Sequence, residues 1–299
     1  MRTRHKTRKL LPAVLPTARM THPHLLTYPA CMGATLASIH IYPLKSCAPL
    51  ALNQAQVEAR GLAGDRRWMV VDGEGKFLSG REQPRLTLIR AQPGADDALQ
   101  LDAPGMPTLR LNAPPADGAR LAAHLWDDAI APLLAAPVAH AWISAFLGQP
   151  CRIVMMDARC ARPVDAKYGV PGDEVSLADG FPLLLISQAA LDQLNAKLAQ
   201  PVSMLRFRPN LVVTGTAPHA EDGWQRVRVG AIEFDVVKAC IRCLFTTVDF
   251  ERGERDPAGE PLRTLIGYRR TEKGVAFGQN LIARGSGALR IGDTVQALG

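Results

Sequence analysis

The stretch Arg226-Val-Arg-Val-Gly-Ala-Ile-Glu-Phe-Asp-Val236 alternates apolar and polar residues on both sides of a glycine. Successive side chains of a β-strand point to opposite faces, so the alternation gives each arm one apolar face. A two-residue break that contains glycine is typical of a hairpin turn. The stretch therefore predicts an antiparallel β-hairpin whose apolar face packs against a core.

The hairpin leads to Cys240-Ile-Arg-Cys243, the sole Cys-x-x-Cys motif of the chain. We expect both thiols on a short basic turn, followed by a β-branched strand through Thr246-Thr-Val248. Structural zinc is disfavoured, because the other cysteines are scattered and the histidines form no His-x3–5-His pair. The motif instead predicts a thiolate in the electropositive setting of Arg242. Such a thiolate can be a nucleophile, a redox thiol, or the single soft ligand of a metal that a cofactor otherwise holds.

Further apolar segments of strand length are spaced along the chain, separated by Gly, Pro and Asp. They predict strands at residues 36–42, 54–59, 67–71, 86–91, 98–101, 108–111, 151–156, 182–186 and 211–213. Helical patterns cover residues 137–147, which Gly148 ends, and residues 188–198, which Ser187 caps. We therefore predict an α+β, mainly β fold that begins with a β-meander or small barrel, rather than a doubly wound sheet.

The positive charge of the chain is concentrated at its start. The net charge is +7, but residues 1–30 hold six Lys and Arg and no acid, which leaves about +1 on the remainder. A nearly neutral body does not support a broad nucleic-acid-binding surface. We interpret residues 1–34 as a disordered basic leader or an over-extended start, with a transit-like segment as the alternative. No apolar run of transmembrane length follows, and the scattered cysteines suit a reducing compartment, so we expect no membrane span and a cytoplasmic location.

Two basic motifs lie in the first quarter of the chain. In Tyr42-Pro-Leu-Lys-Ser-Cys47, the charge of Lys45 and the hydroxyl of Ser46 suit a phosphate. A solvated surface lysine would give the same pattern. In residues 61–68, a glycine-bounded turn presents Arg66 and Arg67, which either bind an anion or lie exposed on a hairpin.

A third basic motif is Arg206-Phe-Arg-Pro-Asn210. Proline disfavours the helical conformation in the residue before it, so we expect an extended Arg208 whose guanidinium lies near Asn210. This arrangement suits the edge of a heterocycle or a phosphate. Pairing of the arginine with a neighbouring acid is the alternative.

Taken in order, these motifs resemble those of one family. The chain resembles MOSC-domain proteins with an N-terminal MOSC β-barrel domain, similar to the mitochondrial amidoxime-reducing component and its bacterial relatives. The resemblance covers residues 35–299 and implies an N-terminal β-barrel domain over 35–155 and a MOSC β-barrel with a few helices over 156–299. It depends on eight motifs in register: Tyr42-Pro-Leu-Lys-Ser-Cys47, Gly64-Asp-Arg-Arg-Trp68, Arg81-Glu-Gln-Pro-Arg-Leu86, Asp179-Gly-Phe-Pro-Leu183, Arg206-Phe-Arg-Pro-Asn210, Glu221-Asp-Gly-Trp224, Cys240-Ile-Arg-Cys243 with Thr246-Thr-Val-Asp249, and Phe277-Gly-Gln-Asn280.

The resemblance implies a mononuclear molybdenum held by a pterin dithiolene and one protein thiolate. Cys243, the second cysteine of the pair, matches the metal ligand and so the catalytic position. A soft thiolate suits this metal, and a basic cradle suits a phosphorylated cofactor. The positions that match the cofactor-holding groups are Lys45, Ser46 and Arg66 for the pterin and its phosphate, Arg208 and Asn210 on the pterin side, and Asp179 at a further contact.

The implied activity is reduction of N-hydroxylated compounds. The chain has no dinucleotide fingerprint, Walker loop or iron–sulfur cysteine pattern, and it ends at Gly299 without the ferredoxin domain of some bacterial relatives. We therefore expect electrons from a separate flavin or iron–sulfur reductase. Small hydroxylic residues of the mitochondrial relatives are replaced by Gly180 and Phe181, so contacts there must use the backbone.

Two other functions stay open from the sequence. A MOSC domain also suits a molybdenum-cofactor carrier or sulfur-transfer module, in which a thiol carries sulfur. A thiol-redox protein would use Cys240 and Cys243 as its pair. The sequence does not settle the role of Cys240.

Overall fold

The computed structural model describes residues 33–299, so the predicted leader lies outside the described residues except for Gly33 and Ala34. The α+β, mainly β fold class is confirmed. The helices are α1 Pro137–Leu147, α2 Gln188–Asn195 and α3 Leu262–Arg269. The strands of the first half are β1 Thr35–Ile41, β2 Leu50–Leu52, β3 Gln54–Glu58, β4 Gly61–Leu62, β5 Trp68–Asp72, β6 Arg90–Pro93, β7 Leu99–Asp102, β8 Leu109–Leu111, β9 Ala123–Leu125, β10 Asp128–Ile130, β11 Leu133–Leu134 and β12 Cys151–Met155. Those of the second half are β13 Leu183–Ser187, β14 Leu211–Thr214, β15 Arg226–Val229, β16 Ile232–Ile241, β17 Val248–Asp249, β18 Glu254–Arg255, β19 Arg270–Thr271, β20 Gly274–Ala283, β21 Gly287–Arg290 and β22 Val295–Ala297.

The largest sheet joins strands from both ends of the chain. Its order is β2-β1-β14-β13-β20-β16-β15-β22, with β19 paired to β20 off this path. β13 and β14 are parallel, and the other neighbours are antiparallel. β3 lies between β21 and β4 in a separate sheet. The first four strands of the chain therefore build onto strands of its C-terminal half.

The hairpin predicted from the alternating stretch is present as β15 and β16. Val227 pairs with Phe234 and Val229 with Ile232, and all four side chains are buried. Arginines and acids pair on the opposite face, where Arg228 lies 2.7 Å from Glu233. The alternation therefore separates a buried apolar face from a charged face.

β16 continues beyond the predicted hairpin and changes the setting of the two cysteines. β16 pairs with β20 as far as Ile241. Of the two cysteines, Cys240 therefore lies within the strand and Cys243 lies beyond its end. The prediction of a β-branched strand at 246–248 is wrong over its first part, because a 3-10 helix spans Leu244–Thr247. The Thr246 and Thr247 hydroxyls donate to carbonyls three residues earlier, at 2.9 and 2.7 Å, which favours the tight turn over an extended strand.

Two other predicted elements differ from the structure. Residues 86–91 were expected to form one strand, but a 3-10 helix spans Pro84–Leu88 before β6. Proline at its first position has a fixed φ and needs no hydrogen-bond partner for a backbone N–H. Helix α2 ends at Asn195 instead of 198, because the Asn195 amide bonds both backbone groups of Val202 and turns the chain.

The remaining strands of the first half surround a core of their own. They form the sheets β11-β12-β5, β6-β7-β8 and β9-β10. Helix α1 spans the predicted residues, and Gly148 ends it in a left-handed conformation with φ 72°. Trp142 and Phe146 of this helix pack in one apolar cluster with Tyr42 and Trp68. This core brings the segment after β1 against the main sheet.

The pairing of the main sheet brings distant loops together. β14 is antiparallel to β1 and parallel to β13, so the end of β1 and the starts of β13 and β14 share one edge. The loops at this edge are residues 42–47, 178–182 and 206–210. These loops contain five of the seven site residues that the sequence predicts, namely Lys45, Ser46, Asp179, Arg208 and Asn210.

Candidate functional site

One open cavity contains every site residue that the sequence predicts. It encloses about 880 Å³ of empty space, counted out to its mouth. Its wall combines loops of both halves of the chain with the end of β16. The predicted residues along this wall are Lys45, Ser46, Arg66, Asp179, Arg208, Asn210 and Cys243.

Three of these residues have left-handed backbones. The φ angles are 70° at Ser46, 50° at Arg66 and 56° at Arg208. Positive φ is uncommon outside glycine and concentrates at binding and catalytic sites, where the surrounding structure holds the strained residue. The structure therefore places backbone strain at the points where basic and hydroxyl groups face the cavity.

The left-handed conformation of Arg208 contradicts the prediction that the following proline makes it extended. Its N–H donates to the Leu205 carbonyl at 3.1 Å and closes a 3-10 helix. Its Nη1 donates to the Cys47 carbonyl at 2.7 Å. These tertiary bonds outweigh the local preference that proline imposes.

The ring of Tyr42 packs against the guanidinium groups of two arginines. The Arg208 and Arg66 guanidinium carbons lie 3.9 and 4.5 Å from the centre of its ring. The ring is fully buried, and its hydroxyl donates to the Pro209 carbonyl at 3.1 Å. Burial raises the pKa of Tyr42, so the phenol stays neutral and the ring holds the two cations by its π face.

A buried carboxylate and amide fix Arg66. Asp65 is fully buried and accepts from Arg66 at 2.5 Å and from Asn210 at 3.0 Å. The Asn210 oxygen accepts from Arg66 at 3.1 Å and from the Leu184 N–H at 3.2 Å, and its amide nitrogen also donates to the His40 carbonyl. These bonds use the hydrogen-bonding capacity of the Asn210 side chain. The structure thus gives Asn210 a positioning role toward Arg66, where the sequence predicts a cofactor contact.

Lys45 and Asp179 form an ion pair at the other end of the cavity. The two groups are 2.6 Å apart, and Lys45 is 5% exposed whereas the Asp179 side chain is 75% exposed. Burial lowers the pKa of Lys45 to about 8, although the charge of Asp179 opposes the shift. Trp126 donates to the same Asp179 oxygen at 3.2 Å. The acid therefore lies at the mouth and the lysine lies beneath it.

Arg162 supports the segment that carries Asp179, a role that the sequence did not reveal. It is 3% exposed and donates to the carbonyls of Ser176, Ala178 and Asp179. A buried arginine with three carbonyl partners fixes the course of the loop. Arg162 stands alone in a turn-rich stretch, so no motif indicated it. Asp65 and Tyr42 lay inside quoted motifs, but only the fold reveals what they touch.

Cys243 presents the accessible sulfur of the pair. Cys243 is exposed, directly after the end of β16. Cys240 is partly buried against the cluster around Phe207 and Phe277, and burial raises the pKa of its thiol although Arg242 opposes the shift. The Arg242 guanidinium donates to the Phe207 and Phe277 carbonyls and so ties the end of β16 to its neighbours.

The charge of the lining suits a phosphorylated, anionic cofactor. Six cationic side chains and one carboxylate line the cavity. Nη2 of Arg208 is buried and has no hydrogen-bond partner, so one strong donor is left for a ligand. The Ser46 hydroxyl accepts from the Gly80 N–H at 3.1 Å and keeps its own proton to donate. The donor set therefore fits an anion at one end of the cavity and a soft metal at the exposed thiol.

Comparison with known proteins identifies the domains of the chain. The family model described as MOSC N-terminal beta barrel domain matches residues 33–150, and that of the MOSC domain matches residues 172–296. "Mitochondrial amidoxime-reducing component 1" of Mus musculus is 37% identical over 283 residues, covering 89% of this chain and 82% of that protein. The Homo sapiens protein of the same name is 34% identical, covering 89% and 83%. "Molybdenum cofactor sulfurase" of Oryza sativa subsp. japonica is 29% identical over 81% of this chain but only 32% of that protein.

These matches define a two-domain MOSC protein. Within that class, the chain belongs to the family of the amidoxime-reducing components, as its motifs predict. In the described residues, 33–299, no helix is both long and apolar enough to cross a bilayer.

Proposed function

We propose that this protein reduces N-hydroxylated compounds with a molybdenum–pterin cofactor and electrons from a separate flavin or iron–sulfur reductase. The observation that carries the proposal is the single cavity in which an exposed thiol, Cys243, faces a strongly cationic lining. Relatives of this chain are named amidoxime-reducing components, and these names support N-hydroxylated compounds as the substrate class.

Five of the seven predicted residues would hold the cofactor directly. Cys243 would supply the only protein ligand to the metal, and Lys45, Ser46 and Arg66 would bind the phosphate end. The unpartnered Nη2 of Arg208 would donate to the pterin. When bound, the cofactor supplies a metal that takes an oxygen atom from an N–OH group and is reset by two electrons.

The protein itself determines how a substrate approaches. The mouth is lined by Trp126, Phe181 and Phe245, whose faces suit a flat amidoxime. Arg81 stacks on Trp126 with its guanidinium carbon 4.2 Å from the ring centre and so narrows the opening. Because Cys243 is exposed, a small substrate can approach this end of the cavity without a large movement of the chain.

The test compares two single substitutions in protein purified from a cofactor-competent host. Cys243→Ser should abolish reduction of benzamidoxime, because it removes the proposed metal ligand. Cys240→Ser is the matched control and should keep activity within about threefold, since Cys240 lines the cavity but is partly buried against the apolar cluster. Wild-type protein should contain about one molybdenum per chain, in line with a single thiolate ligand. Full activity of folded Cys243→Ser protein would remove the basis of the proposal.

The similarity to a molybdenum cofactor sulfurase supports a second candidate, a cofactor carrier or sulfur-transfer module. The two candidates differ in turnover. A carrier would bind molybdenum cofactor and transfer it or its sulfur to an acceptor, but would not reduce benzamidoxime with any electron donor. Turnover with a chemical donor such as reduced viologen therefore decides between them.

A further inference from the structure

A second cleft lies beside the candidate site. It encloses about 810 Å³ of empty space and runs along β16. Ile241 lines both the cleft and the main cavity, so the two are neighbours. The cleft is lined by Tyr168, Val237, Lys238, Ala239, Ile241, Thr271, Glu272 and Lys273.

Lys238 lies where the cleft meets the cavity. Its Nζ is 4.9 Å from the centre of the Tyr168 ring and 5.8 Å from that of Phe181, which lines the main cavity. The two rings pack edge to face at 5.5 Å. An ammonium group held against two aromatic faces keeps a defined position without an anionic partner.

The cations of the cleft are not neutralised by the protein. Lys238 and Lys273 form no ion pair with any carboxylate of residues 33–299. Among residues 33–299, Glu272 is the one acid that lines the cleft, and the two lysines outnumber it. The cleft therefore has an excess of positive charge next to apolar and aromatic surface.

The loop that carries Tyr168 is firmly held. Arg284 binds both carboxylate oxygens of Asp173, at 2.7 and 3.0 Å, and Asp173 also accepts from the Val170 N–H at 2.8 Å. Val164 and Val175 pack in an apolar cluster with Ile282 of β20. The bidentate Arg284–Asp173 pair and the apolar packing hold the loop and Tyr168 in place before a ligand binds. Binding therefore costs little free energy for ordering this loop.

We propose that this cleft is a specificity subsite for the carboxylate of a flat N-hydroxylated substrate. The aromatic body of the substrate would pack along the apolar lining of β16, formed by Val237, Ala239 and Ile241, and its carboxylate would bind Lys238 and Lys273. Its N–OH group would extend past Ile241 toward Cys243. This proposal rests on the proposed function and adds an acidic aromatic substrate class to it.

The experiment compares two benzamidoximes that differ only in charge, one with a para-carboxylate and one with a para-carboxamide. The wild type should show a KM for the carboxylate about fivefold below that for the carboxamide, the factor expected for one partly exposed ion pair. Lys238→Met should abolish the preference, and Lys238→Glu should reverse it. Lys197→Met is the matched control, because Lys197 also stacks on a tyrosine, Tyr268, but lines neither cavity. An unchanged KM ratio in Lys238→Glu, or an equal change in Lys197→Met, would overturn the subsite.

A binding measurement separates this proposal from the function on which it rests. The non-reducible analogue para-carboxybenzamidine is titrated into the full chain by ligand-observed NMR, with the carboxamide analogue as reference. Lys238-dependent binding of the carboxylate without turnover of either benzamidoxime would preserve the subsite and reject the reductase. Turnover of both benzamidoximes without Lys238-dependent binding would preserve the reductase and reject the subsite.

Discussion

Arg66 donates a 2.5 Å hydrogen bond to Asp65, the residue immediately before it, and the accepting carboxylate is fully buried. The left-handed backbone of Arg66 allows the two neighbouring side chains to meet. Asp65 also binds Asn210 and the Tyr42 N–H, so it connects three of the loops that form the cavity. The buried acid is therefore the group that fixes the cationic lining.

Removal of this acid should destabilise the protein strongly. Asp65→Ala leaves the Arg66 charge buried and unpaired, which costs about 3–5 kcal/mol in comparable buried pairs. Urea denaturation measures the change in the free energy of unfolding. Glu58→Ala is the matched control, because it breaks the exposed Glu58–Arg67 pair and should cost less than about 1 kcal/mol. Similar losses in both variants would contradict the central role of Asp65.

The buried amine of Lys45 predicts a specific pH dependence of stability. Its pKa is lowered from 10.5 to about 8 by burial, so between these values the unfolded chain binds more protons than the folded one. The free energy of unfolding then rises with pH in this window. Wild type and Lys45→Met are compared by denaturation from pH 7 to 11, where wild type should gain stability relative to the variant. A flat difference would show that folding leaves the pKa of Lys45 unchanged, a falling one would show that folding raises it, and either would contradict the prediction.

The glycine of the Phe277-Gly-Gln-Asn280 motif is required by a close contact. Gly278 has φ 80°, and a Cβ there would lie 2.6 Å from Ile186 Cγ1 and 2.8 Å from the Leu185 carbonyl oxygen. Gly278→Ala should therefore cost about 2–4 kcal/mol through backbone strain and overlap. Gly285→Ala is the control, since its Cβ would meet nothing within 4 Å, and it should change stability by less than about 0.5 kcal/mol. A tolerated Gly278→Ala would mean that β13 and β20 separate more easily than their packing implies.

The cysteines should differ in their reaction with iodoacetamide. Cys243 is exposed, whereas burial raises the pKa of Cys240 and raises that of Cys47 to about 11. Mass spectrometry of cofactor-free protein alkylated at pH 8 should therefore find Cys243 modified at least about tenfold faster than Cys240 or Cys47. Faster labelling of Cys240 would show that Cys240, and not Cys243, is the accessible thiol of the motif.

The sequence predicts the parts of the fold that local chemistry controls. Alternation gives the β15–β16 hairpin, and Gly148 and Ser187 mark the end of α1 and the start of α2. The failures occur where tertiary contacts decide the outcome. Arg208 is left-handed because its guanidinium reaches Tyr42 and the Cys47 carbonyl, and no local pattern contains those partners.

The candidate site is predicted only as a set of separate motifs. Basic residues and the thiol are visible in the sequence because the family resemblance and their chemistry single them out. Their meeting depends on the pairing of β1 with β14, which lie more than 160 residues apart in the chain. The supporting groups Asp65 and Arg162 act through buried hydrogen bonds, and these exist only after the loops close.

X-ray absorption at the molybdenum edge tests the central claim most directly, because it counts the sulfur atoms bound to the metal. Wild-type protein should show the two sulfurs of a pterin dithiolene and one thiolate, and molybdenum that remains in Cys243→Ser protein should show one sulfur fewer. An unchanged sulfur count in Cys243→Ser, or loss of a sulfur in Cys240→Ser instead, would contradict the assignment of Cys243 as the metal ligand.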